Sequence, residues 1–225
     1  DEYDVPLQHT YETNHHDACR EIYRNFFTGL KDYGYCIKCV FITGITKFTQ
    51  IGMFGMLNTL VNISFRNEYA AICGFTKDEV ICNFSEHLSE LADNNAITKS
   101  ALMDTMSSIY GGYHFSSGLI VVCNPFSVCN ALVNLRLNSY WIASGSNEML
   151  LKVLRKFINE IPELDNCLID SDYLEMSDVN MNDPKLFLYQ FGYLTIKKVV
   201  GSSYMLGYPN REVRNAMLGM SLPNG

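Results

Sequence analysis

CIKCVFIT, residues 36–43, and the loop GITKF that leaves it at 44–48 decide how this chain is read. The run is short, apolar and rich in β-branched residues, with no room for polar alternation. Such a pattern suits a strand covered on both faces, as in a parallel sheet. Upstream, HDACREIYRNFFTGLKDY (16–33) places Ile22, Tyr23, Phe26, Phe27 and Leu30 on one helical face, and Gly34 supplies the stop. Before that helix stands an acidic cluster, Asp1-Glu2-Tyr3-Asp4-Val5-Pro6. Acidic cluster, helix and apolar strand, in that order, predict the αβ half of a doubly wound unit.

Working outward, residues 44–75 read as an irregular stretch with two apolar patches, MFGML and TLVNISF. Thr76-Lys77-Asp78-Glu79 is a capping-box pattern that opens a helical region. Two helices are expected over 76–110, ending at Gly111-Gly112. GLIVVC (118–123) reads as a strand, and Pro125 starts a helix through about Leu137. Ser146 is placed to cap NEMLLKVLRKFINEI, whose Leu150, Leu151, Leu154, Phe157 and Ile158 share a face. A short helix is expected over 183–192. LTIKKVV and YMLGY then flank Gly201-Ser202-Ser203 as a hairpin, and Asn210 opens a last helix carrying Val213 and Met217. Helix, hairpin, helix suggests a winged-helix-like module. The expected class is therefore α/β, divided into a sheet-bearing segment (1–75), a helical region (76–165) and the winged-helix-like module (166–225).

The composition fits this division. Of 225 residues, 48% are hydrophobic and 18% charged, the balance of a globular protein with a sizeable core. No run of about 18 apolar residues exists to span a membrane. DEYDVPLQHT has neither the basic nor the apolar region of a signal peptide, and an acidic start without Met reads as a chain cut from something longer. A net charge of −7 argues against broad attraction to nucleic acid, although Lys185, Lys197, Lys198, Arg211 and Arg214 make a local basic face. Eight cysteines, among them Cys123 and Cys129 inside apolar stretches, fit a reducing, cytoplasmic compartment. Cys36 and Cys39 form a single C-x-x-C. A structural zinc site needs a second pair or spaced histidines, so a strand segment is the simpler reading there.

Three ordered clusters resemble the bacterial predicted AAA-ATPase family, whose members often carry a C-terminal nuclease-like domain. The first is Asp1-Glu2-Tyr3-Asp4-Val5-Pro6, against the family's D-E-Y-D-x-P. The second is Val40-Phe41-Ile42-Thr43-Gly44-Ile45-Thr46-Lys47-Phe48, against F-I-T-G-[IV]-T-K-F. The third runs through Tyr110-Gly111-Gly112-Tyr113-His114-Phe115, Asn124-Pro125-Phe126-Ser127, Tyr140-Trp141, Gly192-Tyr193-Leu194-Thr195-Ile196 and Tyr208-Pro209-Asn210. His114 stands where the family usually has Arg. There is no Gly-Lys pair in the chain, hence no G-x-x-x-x-G-K-[ST] phosphate loop; in the family that loop precedes D-E-Y-D.

The resemblance implies a P-loop ATPase fold using ATP and Mg²⁺, with this chain starting at the acidic Walker B motif. By resemblance Asp1 helps hold Mg²⁺, and Glu2 orients or deprotonates the attacking water. Thr43, at the end of the apolar strand, takes the place of a polar sensor, and Lys47 that of a phosphate contact. Asp4 either supports the site or opens the turn before Pro6. Without the resemblance, the acidic start would read as a solvated tail and Thr-Gly-Ile-Thr as a plain strand-end turn. Tyr110, Tyr113, Phe115, Tyr140 and Trp141 read as core more readily than as a base-stacking surface. The alternative to a nucleotide-driven switch is a non-catalytic scaffold or DNA-contacting module.

Overall fold

The computed structural model describes residues 1–47, 60–141 and 148–221. The MFGML patch, Phe48 and the proposed Ser146 cap lie outside the described residues. Helix α1 (Val5–Thr10) carries a proline in its first turn, and α2 (His16–Asp32) follows. A 3₁₀ turn, Gly34–Cys36, then leads into extended backbone.

Here the structure departs from the expected parallel sheet. Residues 37–43 form no strand and join no ladder among the described residues, and Tyr3 N–H to Thr43 O at 3.0 Å ties the end of the run to the start of the chain. Val40 and Phe41 are 38% and 59% exposed, and Cys36 and Cys39 are exposed as well. An apolar strand is buried on both faces only when strands flank it and helices cover the sheet, and no described element does either for this run. Helix α2 shows the same deficit. Phe27 is buried and Tyr23 and Leu30 pack partly, while Ile22 and Phe26 stand in solvent.

The helical region is formed by α3 (Lys77–Asn83), α4 (Ser85–Asn94), α5 (Lys99–Tyr110) and α6 (Pro125–Asn134). Three helices fill 77–110 where two were expected, because Phe84 breaks the first into two. The Thr76 capping box has both arms: Thr76 N–H donates to Glu79 Oε2 at 2.9 Å, and Glu79 N–H to Thr76 Oγ1 at 3.3 Å. The Thr76 amide, and after it the Thr76 hydroxyl, donate to the Glu79 carboxylate and hold it below its usual range. Asn124 caps α6 by accepting from Ser127 N–H at 3.1 Å, with Pro125 in the first turn. The GLIVVC run makes no strand; it contributes only the bridges Phe75–Cys123 and Tyr113–Val122. Val80, Leu88, Leu91, Leu102, Met106, Val128 and Leu132 form a core of their own here. Burial pushes the Cys123 thiol up to about 11, as befits a cysteine packed as a small apolar group.

Helix α7 (Glu148–Lys156) inserts Met149, Leu150, Val153 and Leu154 into the second core. There follow β1 (Cys167–Asp170), α8 (Ser171–Met176), α9 (Pro184–Gln190), β2 (Thr195–Val200), β3 (Ser203–Gly207) and α10 (Arg211–Ser221). The strands form one antiparallel sheet in the order β1-β3-β2, with the hairpin turning at Gly201, whose φ is +60°. The sheet packs Ile169, Ile196, Tyr204 and Leu206 against α7, α9 and α10 in the same core that holds Leu7 and Phe27. The protein is thus α/β, with many helices around a small antiparallel sheet. Among the described residues, no helix is long and apolar enough to cross a membrane.

The scattered third cluster of motifs converges on one junction. Thr195 Oγ1 accepts from His114 N–H at 2.8 Å and donates to His114 O at 3.1 Å. Asn210 Nδ2 donates to Gly111 O at 2.8 Å, and Gly112 (φ +79°) lies so close to Pro209 O that any side chain would collide with it. Trp141 meets Tyr193 edge-on at 4.3 Å. Tyr110 and Tyr113 are buried, as expected of core aromatics. Glu212, only 2% exposed, closes the junction: its carboxylate accepts from Ser127 Oγ at 3.0 Å, Trp141 N–H at 2.8 Å and Tyr140 N–H. Replacing Glu212 with Ala strands these donors, so Glu212→Ala is expected to lose about 3 kcal/mol in urea unfolding, with Glu212→Gln losing less. A Glu212→Ala variant as stable as the wild type would refute this account of the junction.

Candidate active site

The start of the chain and the loop after residue 43 are stitched together. Glu2 adopts a left-handed backbone (φ 50°), which turns the chain between two adjacent carboxylates, and both Asp1 and Glu2 are exposed. Asp1 Oδ1 accepts from Glu2 N–H at 3.0 Å and from the Thr43 hydroxyl. Tyr3 N–H donates to Thr43 O, and Tyr3 Oη donates to Thr46 O at 3.0 Å.

Beneath this surface lies Asp4, 0% exposed. Its Oδ2 accepts from Thr46 N–H at 2.5 Å, Thr46 Oγ1 at 2.5 Å, Gln8 Nε2 at 2.6 Å and Ile45 N–H at 3.1 Å. A buried carboxylate is tolerated only when its lone pairs are filled, and backbone amides, a hydroxyl and a side-chain amide fill these. Asp4 precedes α1, as the turn reading has it, and its side chain also grips the 45–46 backbone.

Lys47 leads away from this cluster. Its Nζ donates to Glu175 O at 2.6 Å, its N–H to Gln190 Oε1 at 3.4 Å, and its carbonyl accepts from Val179 N–H at 2.8 Å. Burial lowers the pKa of its ammonium, against the opposing pull of Asp178 and Glu175. Among the sequence-derived candidates, then, Asp1 and Thr43 are in contact and Glu2 adjoins them, while the charge of Lys47 is held by α8. Gln8 and Thr46 were not singled out by sequence. The four-residue spacing of Asp4 and Gln8 was a visible signal for one pair; nothing in the sequence linked Asp4 to Thr46, 42 positions on.

Hard cations such as Mg²⁺ bind through one or two carboxylates while keeping several waters. An exposed Asp1 oriented by a hydroxyl, with Glu2 beside it, fits such a donor set. No group of three or more His, Cys, Asp or Glu side chains able to hold a metal occurs among the described residues.

Residues 1–54 match the family described as Predicted AAA-ATPase, a stretch that contains every residue of this cluster. The chain is also 28% identical over 224 residues to the "Uncharacterized protein in vnfD 5'region" of Azotobacter chroococcum mcd 1. That alignment covers 96% of this chain and 41% of the relative, so the chain spans about two fifths of the relative's length. No solved structure matches the chain.

Gly44 sits between the two halves of the cluster. A Cβ there would meet the Asp4 carboxylate and lie 2.6 Å from Tyr3 Cδ1. Gly44→Ala is therefore expected to lower stability by about 1–3 kcal/mol in urea unfolding through overpacking. Gly29→Ala, where an added methyl meets nothing within 4 Å, is the matched control and should not be destabilising. Equal stability of the two variants would rule out close packing at Gly44.

Proposed function

We propose that this chain is part of an ATP-hydrolysing P-loop protein in which the nucleotide cycle serves as a switch. The observation that carries the reading is the contact of the Thr43 hydroxyl with the Asp1 carboxylate, beside Glu2, inside the segment that matches the Predicted AAA-ATPase family. In this reading Asp1 and its neighbours form the Walker B end of a strand, and 37–43 is an inner strand of a parallel sheet completed by residues preceding Asp1 in a longer protein. The exposed Val40 and Phe41 support that completion, since apolar strand residues gain when neighbours cover them. The proposed division remains 1–75, 76–165 and 166–225. The order strand, helix, helix, hairpin, helix over 166–225, with a β1-β3-β2 sheet, supports a winged-helix-like third part.

Bound through Asp1, Mg²⁺ would neutralise charge on the β- and γ-phosphates. The chain's own residues do the rest. Glu2 holds the attacking water and takes its proton as the oxygen approaches phosphorus. Thr43 fixes the rotamer of Asp1 through its hydroxyl, leaving its backbone tied to Tyr3. Lys47 contacts phosphate only if it leaves the Glu175 carbonyl; where it stands, it secures the loop. The family's usual nuclease-like partner domain and a cytoplasmic location belong to the same proposal, the latter supported by eight free cysteines. A DNA-contacting scaffold is the competing reading. It is disfavoured by α9, the helix that would enter a groove: Leu186, Phe187 and Leu188 are buried, and Tyr189 stacks on Phe65.

The 225 residues alone carry no phosphate loop, so they are expected to show no ATP turnover above a buffer blank. In the longer protein with such a loop, Glu2→Gln should leave ATP affinity nearly unchanged and slow single-turnover hydrolysis by roughly 10²–10⁴-fold, because the amide cannot accept the proton. Wild-type hydrolysis by Glu2→Gln would overturn the ATPase assignment in favour of the scaffold.

A further inference from the structure

We infer that Asp4 is a positioning residue for the hydrolytic site: its buried carboxylate sets where Thr43 stands, and through Thr43 the rotamer of Asp1. The inference rests on the ATPase reading above and adds to it a residue outside the reacting shell.

The argument begins with a cost. Removing a carboxylate from water is expensive, and a buried ion whose place an apolar residue could fill is weak evidence of stabilisation. A turn before Pro6 needs no buried charge. Yet Asp4 is 0% exposed, and three of the four donors on its Oδ2 belong to Ile45 and Thr46. The carboxylate is thus aimed at the backbone just after Thr43-Gly44. Four further bonds share the task of holding the two segments in register: Tyr3 N–H on Thr43 O, Tyr3 Oη on Thr46 O, Gln8 Nε2 on Thr46 Oγ1 at 3.3 Å, and the Thr43 hydroxyl on Asp1. Only Gly44 separates Thr43 from Ile45, and only Glu2 and Tyr3 separate Asp1 from Asp4. In so small a ring, a shift of the 45–46 amides is passed directly to the hydroxyl that touches Asp1.

An uncharged side chain fails here for a specific reason. Asn at position 4 would replace one acceptor oxygen with an NH₂ group. Turned toward the loop, that group would face the Ile45 and Thr46 amides; turned away, it would still face the Ile45 amide, which now donates to both oxygens, and would leave one neutral acceptor for the remaining donors. Either way the loop relaxes, and a displacement of about 1 Å in a catalytic constellation costs on the order of 10²-fold in rate.

The test uses the full-length protein. Asp4→Asn should lower kcat by roughly 10- to 100-fold while the KM for ATP changes less than about threefold, the mark of misplaced chemistry rather than lost binding. In a Thr43→Val background, adding Asp4→Asn should cost less than about threefold more, because both changes break one linkage. Nucleotide-binding stoichiometry must stay at the wild-type value, which excludes a partly unfolded sample. Should Asp4→Asn not fold, Thr46→Val, which keeps the amide and removes one donor, carries the same comparison and should show a smaller loss confined to kcat. Rate losses that multiply with those of Thr43→Val, or that appear in KM or stoichiometry alone, would reduce Asp4 to a structural residue. If Glu2→Gln is slow while Asp4→Asn and Thr46→Val turn over at the wild-type rate, positioning by Asp4 is refuted and the ATPase reading stands. If Glu2→Gln is itself unimpaired, the ATPase reading fails and takes this inference with it.

Discussion

The buried carboxylate of Asp4 determines how the first half of the structure is arranged. It joins two segments 41 and 42 positions apart in sequence, and it does so by filling its lone pairs with loop donors rather than by pairing with a cation. An anion in this state tolerates little displacement, since each lost donor leaves charge uncompensated in a low-dielectric setting. The loop it grips is thereby held at both ends: residues 43–46 against the start of the chain, and Lys47 against α8 and α9 through Glu175, Val179 and Gln190. Five consecutive residues so connect an exposed acidic surface to the three-stranded sheet, because Glu175 also accepts from Tyr204 of β3 at 2.5 Å.

The second half depends on a comparable device. Glu212 binds two backbone amides and a hydroxyl from parts of the chain 71 to 85 residues away. With Thr195 bracketing His114 and Asn210 on Gly111, it locks the helical region onto the sheet. The imidazole of His114 is partly buried in this junction, and burial lowers its pKa, with the charge of Lys197 acting in the same direction. A cation is disfavoured at this position. The aromatic and glycine motifs that looked like separate signatures are one packing unit, their spacing set by which segments must meet.

Against these two well-tied regions, the pattern of α2 and residues 37–43 is unsatisfied. Its apolar residues follow helical and strand patterns correctly, yet Ile22, Phe26 and Phe41 remain in water. Thr43 ends the exposed run and touches Asp1.

Local structure was legible wherever short-range chemistry governs it. The Thr76 capping box, the Asn124-Pro125 helix start, the Gly201 hairpin and the Asn210 cap all appear where their sequence signals stand, since each is completed within about four residues. Asp1 and Thr43 were each singled out through motif resemblance, and the structure brings the two into contact. Periodicity also marked 36–43 as a buried strand, yet among the described residues it joins no ladder and Val40 and Phe41 stay exposed: an apolar run specifies a wish to be covered but not the element that covers it. The sequence by itself determined most of the longer helices, the Thr76, Asn124 and Asn210 caps and the hairpin, because those arise from backbone bonds and side chains that are chain neighbours. Only the tertiary structure decided that Asp4 would clamp the 45–46 backbone as well as precede α1, that Lys47 would serve α8, and that Glu212 would close a junction. Each of these turns on desolvating a charge among donors distant in sequence, and such a cost exists only once the chain has brought them together.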